Sequence, residues 1–309
     1  MLIPRKVINQ YKLKQSKLII ACSGGSDSMC LLHNIQQIVP NNQIIVAHIN
    51  HQLRKTAKRD EDFVKRYANK HKLEFITKKI ALNSQKNLEA EARKLRYEAL
   101  QEIKADYNAD YILTGHHQDD QIETILLNWL RGTKLRGLIG IYEQQRNTNV
   151  LRPLLTVPKS KILEQIKEAN LSYCEDETNQ DLKHKRNEIR HVEIPKLAKI
   201  WPNYKKEIIQ LSSFALKWTI NQTTILVDLI ANLEIKQKQE TLTIANISDA
   251  ANLALIITNA FELPRRTTAI LNLTNILSRT NKGNFYVNKN FRIKSGKILQ
   301  LCEVPISSF

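Results

Sequence analysis

The segment Ser23-Gly24-Gly25-Ser26-Asp27-Ser28 carries residue types that can bind phosphate, and it directly follows an apolar run. Adjacent glycines let the backbone turn tightly and bring its N–H groups close to a ligand. The free N–H groups of a following helix attract anions, and the three serine hydroxyls can donate to phosphate oxygens. Asp27 fits such a loop if it holds a Mg²⁺ that also binds the phosphates. A capped helix start is the alternative, but six such residues after a strand, without a Walker lysine, favour a phosphate loop.

Asp120 and Glu123 form a second candidate group. They are three residues apart in a segment that predicts a helix, so they share one face. Asp119 is predicted to cap that helix. Two carboxylates beside a phosphate loop can clamp a cationic substrate or a metal ion, whereas a solvated acidic helix start, favoured by the helix dipole, is the alternative.

Basic residues form two further clusters. Arg93 and Arg96 are three apart on one predicted helical face, from which long side chains could reach phosphates. The alternative is pairing within the helix, for instance between Glu89 and Arg93. The second cluster lies outside any apolar stripe and comprises Arg186, Asn187 and Arg190.

Four histidines lie at the ends of two predicted strands, His48 and His51 at one strand and His116 and His117 at the other. Open α/β sheets bind ligands at the carboxyl ends of their strands, so we expect one of His116 and His117 to contact the phosphate or ribose of a nucleotide. His116 and His48 are the two candidates for this contact. A zinc site is not favoured, because no C-x-x-C cysteines lie nearby and zinc wants three or four well-spaced ligands.

The first two hundred residues alternate short apolar runs with amphipathic ones, which predicts βαβ units. The runs are continuously apolar, as strands of a parallel sheet buried on both faces are. The sequence therefore predicts a doubly wound, mostly parallel α/β sheet. Predicted strands are 17–22, 43–48, 74–80 and 111–114, and predicted helices are 28–39, 57–71, 87–105 and 119–130.

The later part of the chain predicts a smaller, mainly helical domain. We expect a catalytic domain over 1–205 and a C-terminal substrate domain over 206–309, consistent with 309 residues. Predicted elements are a helix at 158–170, a loop at 175–185, a long helix at 204–233, helices at 248–261 and 267–278, and a small hairpin within 284–301.

Charge and composition narrow the class of protein. Lys and Arg number 47 against 30 Asp and Glu, and both 1–204 and 205–309 are basic. Such a balance favours a polyanionic partner, nucleic acid before membrane, although a compositional bias would also produce it. No apolar run approaches the roughly 20 residues that span a bilayer. Four scattered cysteines and a start without an export signal favour a cytoplasmic protein.

The loop Ser-Gly-Gly-x-Asp-Ser resembles the PP-loop of the N-type ATP pyrophosphatases, which cleave ATP between the α and β phosphates and adenylate an oxygen. A series of further segments resembles the tRNA(Ile)-lysidine synthase family from residue 17 to about 200, and 241–301 resembles its first C-terminal domain more weakly. The segments are His-Ile-Asn-His (48–51), Asn-Leu-Glu-Ala-Glu-Ala-Arg-Lys-Leu-Arg-Tyr (87–97), Thr-Gly-His-His-Gln-Asp-Asp-Gln-Ile-Glu-Thr (114–124), Leu-Arg-Gly (130–132), Arg-Pro-Leu-Leu (152–155), Glu-Asp-Glu-Thr-Asn (175–179) and Arg-Asn-Glu-Ile-Arg (186–190).

The resemblance implies an enzyme that ligates L-lysine to C2 of the wobble cytidine of CAU-anticodon tRNA(Ile), using ATP and Mg²⁺. The tRNA is adenylated first, and the products are lysidine, AMP and pyrophosphate. By residue, it implies Asp27, Asp120 and Glu123 as catalytic groups and Asp27 as the Mg²⁺ ligand. The ATP contacts would be Ser23, Gly24, Gly25, Ser26, Asp27, Ser28, His48 and His116. The substrate and tRNA contacts would be Arg93, Arg96, Asp120, Glu123, Arg186, Asn187 and Arg190.

Other functions stay open on the sequence. A tRNA 2-thiolation enzyme would share the loop, although members of one such group carry C-x-x-C cysteines that this chain lacks. A small-molecule synthetase that adenylates a carboxylate would not need both halves to be basic. A non-catalytic RNA-binding module would tolerate loss of Asp27, Asp120 and Glu123, yet all three are present. A homodimer is a further open expectation.

Overall fold

The computed structural model describes residues 1–50, 57–81, 88–175 and 185–232, with side chains to residue 221, and five short strands between 234 and 303. The chain divides into two compact units, Met1–Leu216 and Lys217–Phe309. No helix in these described ranges is long and apolar enough to cross a membrane.

A six-stranded sheet forms the centre of the first unit. Its order is β3-β2-β1-β4-β6-β5, and every neighbouring pair is parallel except β5 with β6. The predicted doubly wound, mostly parallel α/β fold is therefore confirmed. The strands are β1 (Leu18–Ala21), β2 (Ile44–Asn50), β3 (Glu74–Lys79), β4 (Tyr111–Leu113), β5 (Gln144–Gln145) and β6 (Val150–Leu151).

Helices cover both faces of this sheet because alternate strand residues point to opposite sides. Leu18 and Ile20 belong to one buried cluster with residues of α1, α2, α3 and α6, whereas Ile19 belongs to another with Leu100 of α4. The helices are α1 (Arg5–Gln10), α2 (Ser26–Gln36), α3 (Ala57–Lys70), α4 (Leu88–Asp106), α5 (Gln118–Leu130) and α6 (Lys159–Glu168).

One predicted boundary matters for the site. The sequence placed the first helix at 28–39, but α2 begins at Ser26. Gly25 is its N-cap, in an extended conformation, so residues 26–28 form the first helical turn instead of preceding it. Their backbone N–H groups are therefore among those that a helix leaves without intrahelical partners.

Residues 185–200 form a continuous helical segment, part of which packs against α5. It consists of α7 (Lys185–Glu188), a π-helical turn (Ile189–Glu193) and α8 (Ile194–Ile200). The wide turn ends just before Pro195, which lacks the N–H that a regular α-helix would use. α8 and the start of α9 (Tyr204–Asn232) pack on Ile122 and Ile125 of α5. The long predicted helix at 204–233 is thus confirmed, while most of the predicted 175–185 loop lies outside the described residues.

The described strands of the second unit form one antiparallel sheet, ordered β7-β8-β11-β10-β9. The predicted hairpin region is confirmed as the antiparallel pairs β9–β10 and β10–β11. β7 and β8 were not predicted, since the β7 run Glu-Ile-Lys-Gln-Lys has a single apolar residue. The predicted helices at 248–261 and 267–278 lie outside the described residues. The strands are β7 (Glu234–Lys238), β8 (Thr241–Ala245), β9 (Gly283–Tyr286), β10 (Phe291–Ser295) and β11 (Leu299–Glu303).

Candidate functional site

The loop between β1 and α2 has the geometry of an anion-binding turn. Gly24 has φ of +90°, in the left-handed region that glycine adopts without steric cost. A Cβ at this position would also lie 3.3 Å from Cγ2 of Val64. The turn therefore directs the free N–H groups of the first turn of α2 toward the carboxyl edge of the sheet, where a phosphate can bind.

The three serines of the loop differ in their surroundings. Ser28 is buried, and its hydroxyl donates to the Gly25 carbonyl oxygen at 2.9 Å. Ser23 is exposed and accepts from the Gly25 N–H at 3.4 Å. Ser26 is partly exposed at the start of α2. Ser28 therefore holds the turn together, whereas Ser23 and Ser26 are the more solvent-accessible serines of the loop.

Gly115 brings the next part of the site against this loop. A Cβ on Gly115 would lie 2.9 Å from the carbonyl carbon of Asp27 and 3.1 Å from the backbone nitrogen of Ser28. The chain after β4 thus passes directly against the first turn of α2, at a distance that only glycine permits. The position of Gly115 in the segment 114–124 does not by itself indicate this contact.

Asp27 contacts two cationic side chains. The Lys159 ammonium donates to Asp27 Oδ1 at 2.5 Å and to Ser26 Oγ at 2.7 Å, and His117 Nε2 lies 3.5 Å from Asp27 Oδ2. Burial alone would raise the pKa of Asp27, but the hydrogen bond and charge of His117, with the charge of Lys159, outweigh it and lower the pKa. Asp27 is therefore ionised at neutral pH.

His117, one of the two adjacent histidines expected near a nucleotide, links the phosphate loop to the acidic pair. Its Nε2 also lies 3.5 Å from Asp120 Oδ2, and its side chain is 5% exposed. Burial opposes a charge on this ring, but hydrogen bonding to Asp27 and the charges of Asp120 and Asp27 raise the pKa of His117 overall. Its buried Nδ1 has no hydrogen-bond partner within the described residues.

His116 and His48, the two histidines predicted to contact the nucleotide, have other hydrogen-bond partners. Nδ1 of His116 lies 2.8 Å from Thr114 Oγ1, and burial, with help from nearby arginines, lowers its pKa to about 3. Nδ1 of His48 lies 2.9 Å from the carbonyl oxygen of Cys22, and burial lowers the pKa of His48. Both rings are therefore neutral at pH 7, and nucleotide contact by either remains a prediction.

Glu123 is buried, Asp120 is 13% exposed, and the two share one face of α5, as predicted. Asp120 Oδ2 accepts the backbone N–H of His117 at 3.0 Å, so Asp120 stabilises the start of this helix. The predicted cap, Asp119, accepts instead from Lys205 Nζ at 3.1 Å. The reason is that α5 begins at Gln118, so residue 120 is the third helical position, from which a side chain reaches back to the N-cap.

Two arginines fill the space beside these carboxylates. Arg186 donates to Glu123 Oε2 and Asp120 Oδ1, both at 2.8 Å. Arg190 donates to Glu123 Oε1 at 2.6 Å and Oε2 at 2.8 Å. Both guanidinium side chains are 31% exposed, while Glu123 is 1% exposed. Asn187, between them in sequence, is also buried.

Arg93 and Arg96 lie on α4, and their guanidinium carbons are 5.3 and 5.5 Å from the centroid of the Tyr97 ring. Neither makes an ion pair with a side chain that the structure describes. Burial lowers the pKa of Arg96, and the nearby positive charges of Arg93 and Arg186 add to this effect. Because Arg93 and Arg96 lack carboxylate partners among the described side chains and lie near the charge of Arg186, this region favours an anionic ligand. The side chain of Glu89, the alternative partner of Arg93, lies outside the described residues.

A small pocket of about 80 Å³ opens beside the carboxylate pair. Among the described residues, no group of three or more His, Cys, Asp or Glu side chains is arranged to hold a metal ion. The pocket is lined by Asp119, Ile122, Glu123, Arg190, Ile194, Tyr204 and Lys205.

The amino-acid sequence is similar to a known domain family and to several curated proteins. Residues 3–197 match the PP-loop domain family. A tRNA(Ile)-lysidine synthase of Lactobacillus gasseri is 37% identical over 197 residues, which is 62% of this chain and 46% of the relative. One from Petrotoga mobilis is 37% identical over 216 residues, which is 67% of this chain and 69% of the relative. The chain thus spans about half the length of several curated relatives it matches.

A solved structure supports the fold alone. The U34-tRNA thiolase NcsA from Methanococcus maripaludis, with its [4Fe-4S] cluster, superposes with a TM-score of 0.54 at 18% identity, covering 69% of this chain and 77% of the thiolase. With residues 3–197 matching the PP-loop domain and relatives of one name at 35–37% identity, the chain belongs to the PP-loop family, among the tRNA(Ile)-lysidine synthases.

Proposed function

We propose that this chain ligates L-lysine to C2 of the wobble cytidine of CAU-anticodon tRNA(Ile) in two steps. In the first, the C2 oxygen of the base attacks the α-phosphorus of ATP and pyrophosphate leaves. In the second, the lysine ε-amine attacks C2, AMP leaves with that oxygen, and the amine loses a proton. The observation that carries the proposal is the position of His117, which contacts both Asp27 of the phosphate loop and Asp120 of the acidic pair. The two groups that the two steps require are therefore only one side chain apart.

The first step requires a site for the ATP polyphosphate. The first-turn N–H groups of α2 and the hydroxyls of Ser23 and Ser26 suit its anionic oxygens. Mg²⁺ is commonly bound by one or two carboxylates together with substrate phosphates, and Asp27 is ionised and partly exposed beside the loop. The residues therefore fit a Mg²⁺ that Asp27 would hold and that would offset charge on the leaving pyrophosphate. Gly24 and Gly25 let the phosphates approach the backbone.

The second step requires a site for lysine beside the activated base. Asp120 and Glu123 are negatively charged groups of the right kind for an ammonium ion, but each already has an arginine partner. Because Arg186 is partly exposed, we propose that the lysine ammonium replaces Arg186 at Glu123, and that the released guanidinium turns toward the tRNA. Holding amine and base together supplies much of the acceleration in such a transfer.

Arg93 and Arg96 are proposed to bind a phosphate of the tRNA or of the adenylate. Their lack of carboxylate partners among the described side chains leaves their charge available. The formal net charge of +17 would attract the tRNA backbone as a whole, with strong salt dependence. We propose that Arg190 and Asn187 position this segment, since Arg190 binds both oxygens of Glu123.

We further propose a catalytic domain over 1–205 and a tRNA-binding domain over 206–309, an enzyme that works in the cytoplasm with its tRNA, and assembly as a homodimer. The proposed boundary lies at the start of α9, eleven residues before the division between the two compact units. Light scattering of the purified protein at several concentrations tests the homodimer.

The two steps can be separated experimentally. With unmodified CAU-anticodon tRNA(Ile) transcript, Mg²⁺ and α-phosphate-labelled ATP but no lysine, the protein should attach label to the tRNA. Asp27→Asn should abolish this labelling, whereas Glu123→Gln should retain it and block its discharge by lysine. Labelling that survives Asp27→Asn, or equal loss in both steps for folded Glu123→Gln protein, would contradict the assigned roles.

A further inference from the structure

Lys159 is the first residue of α6 and reaches across to the loop after β1. Its ammonium donates to Ser26 Oγ at 2.7 Å and to Asp27 Oδ1 at 2.5 Å, and its side chain is 28% exposed. It lies 132 residues from Asp27 in sequence, and neither composition nor spacing singled it out.

The position of Lys159 is fixed by the packing of α6 against α2. Asn34 Nδ2 donates to Gln165 Oε1 at 2.6 Å and to the Cys30 carbonyl oxygen at 2.8 Å. Asn34 and Cys30 are fully buried and Gln165 nearly so. The bond to Gln165 joins the two helices, and the bond to Cys30, which lies within α2, orients the Asn34 amide for it. Both N-terminal ends therefore come together at the loop, and Lys159 is preorganised there.

The loop itself supplies no cation. Backbone N–H groups and hydroxyls give only partial positive charge, whereas the polyphosphate of ATP carries several negative charges. An ammonium group has three N–H donors and is a common phosphate ligand. Lys159 uses two of its donors on Ser26 and Asp27, and its third donor has no acceptor among the side chains that the structure describes.

We propose that Lys159 binds the polyphosphate of ATP at this loop, and that Asp27 holds its ammonium in place before the nucleotide arrives. The inference rests on the proposed function in taking ATP as the ligand. Asp27 would hold Mg²⁺ when it arrives with ATP, and the Lys159 ammonium would then have phosphate oxygens as acceptors in place of the carboxylate. Lys159 thus supplies, from α6, the positively charged side chain that the loop sequence itself lacks.

Three substitutions test this assignment in the full-length protein. Lys159→Met removes the charge and keeps most of the apolar stem, and Lys159→Arg keeps the charge. Lys161→Met, two residues along the same helix, removes an exposed lysine that pairs with Glu164 and serves as the matched control. Isothermal titration with Mg²⁺ measures the Kd of ATP, inorganic pyrophosphate and AMP for each protein.

Lys159→Met should weaken ATP and pyrophosphate about tenfold or more, the usual scale of a charge-assisted bond, and leave AMP within about twofold. Lys159→Arg should recover part of the loss, and Lys161→Met should match the wild type. Unchanged ATP affinity in Lys159→Met overturns the proposal. Equal weakening of AMP also overturns it, because the lysine would then only support the fold of the loop.

The proposed function has a separate outcome. If wild-type protein binds ATP and pyrophosphate in a Lys159-dependent manner but forms no lysidine, the inference stands and the proposed reaction fails. If the wild type binds neither ATP nor pyrophosphate, the loop is not a polyphosphate site and the inference fails as well.

Discussion

His117 Nε2 and Asp27 Oδ2 lie 3.5 Å apart, and this ion pair connects the segment after β4 to the first turn of α2. The pair is formed across β1 and β4, which are neighbours in the sheet but far apart in sequence. Burial acts against both charges, and each partner's charge restores the other. The contact therefore stabilises the candidate site only while both groups are ionised.

Replacing His117 by Asn should destabilise the protein in a pH-dependent manner. Folding raises the pKa of His117 above 6.5 and lowers that of Asp27 below 3.8. The contribution of His117 is complete below pH 6.5 and is lost as pH rises through the raised pKa, while that of Asp27 is lost only as pH falls below 3.8. Urea unfolding should show a loss on the order of 1 kcal/mol near pH 5.5, discounted for the partial exposure of Asp27, and a smaller loss near pH 9.

His33→Asn is the control for this experiment. Burial lowers the pKa of His33, so its contribution is present at high pH and decreases as pH falls. A His117→Asn effect that is constant with pH, or that runs in the same direction as that of His33→Asn, would contradict the ion pair.

Gly115→Ala should damage both stability and activity. The added Cβ would meet the Asp27 carbonyl carbon at 2.9 Å, so the backbone must move, at a cost of about 1–3 kcal/mol. Gly132→Ala is the matched control, because Gly132 has φ of +73° with nothing within 4 Å of its Cβ position. That change should cost about 1 kcal/mol in backbone strain and leave activity intact. Thermal unfolding and the adenylation assay compare the stability and activity of the two variants. A Gly115→Ala protein with wild-type stability and activity would refute the close approach of Gly115 to Asp27.

Glu123 and Arg190 should show strong energetic coupling. Removing one partner of a buried ion pair leaves an uncompensated charge and typically costs about 3–5 kcal/mol. Glu123→Gln and Arg190→Gln should each destabilise, and the double variant should lose less than the sum, with a coupling of about 0.5–3 kcal/mol. The exposed pair Lys161–Glu164, carried through the same denaturant cycle, should show no measurable coupling. Additive losses at Glu123 and Arg190 would show that the contact does not stabilise the fold.

Arg96→Ala should weaken tRNA binding without unfolding the protein, because Arg96 has no ion-pair partner among the described residues. If it binds a phosphate, the slope of log K against log salt should decrease in magnitude by about 0.7–0.9. Lys94→Ala is the control, since Lys94 is exposed on the same helix and pairs with Glu98. Filter binding at several salt concentrations gives both slopes, and equal slopes for the two variants would exclude a phosphate contact by Arg96.

The sequence predicted the parts of this fold whose causes are local. Continuous apolar runs identified the core strands, and the three-residue spacing of Asp120 and Glu123 correctly placed both on one face of α5. It could not reveal contacts that depend on how distant elements pack. Lys159 reaches Asp27 only because α6 packs on α2, and no spacing rule connects residues 132 apart.

Other differences have equally specific causes. His116 and His117 are adjacent and chemically identical in sequence, so only the turn after β4 decides that His117 faces Asp27. The two-carboxylate pattern suggested an open clamp, but Arg186 and Arg190, from a segment more than sixty residues away, fill it. The starting residue of α2 was misplaced by two because Gly25, and not a serine, is its N-cap.

The most direct test of the proposed reaction is nucleoside mass spectrometry of tRNA. Purified protein would be incubated with ATP, Mg²⁺, isotope-labelled lysine and unmodified CAU-anticodon tRNA(Ile) transcript, with Asp27→Ala as the control. The account predicts a labelled lysine adduct on the wobble cytidine with the wild type and none with the variant. ATP converted to AMP without this adduct, or an adduct formed equally well by Asp27→Ala, would contradict it.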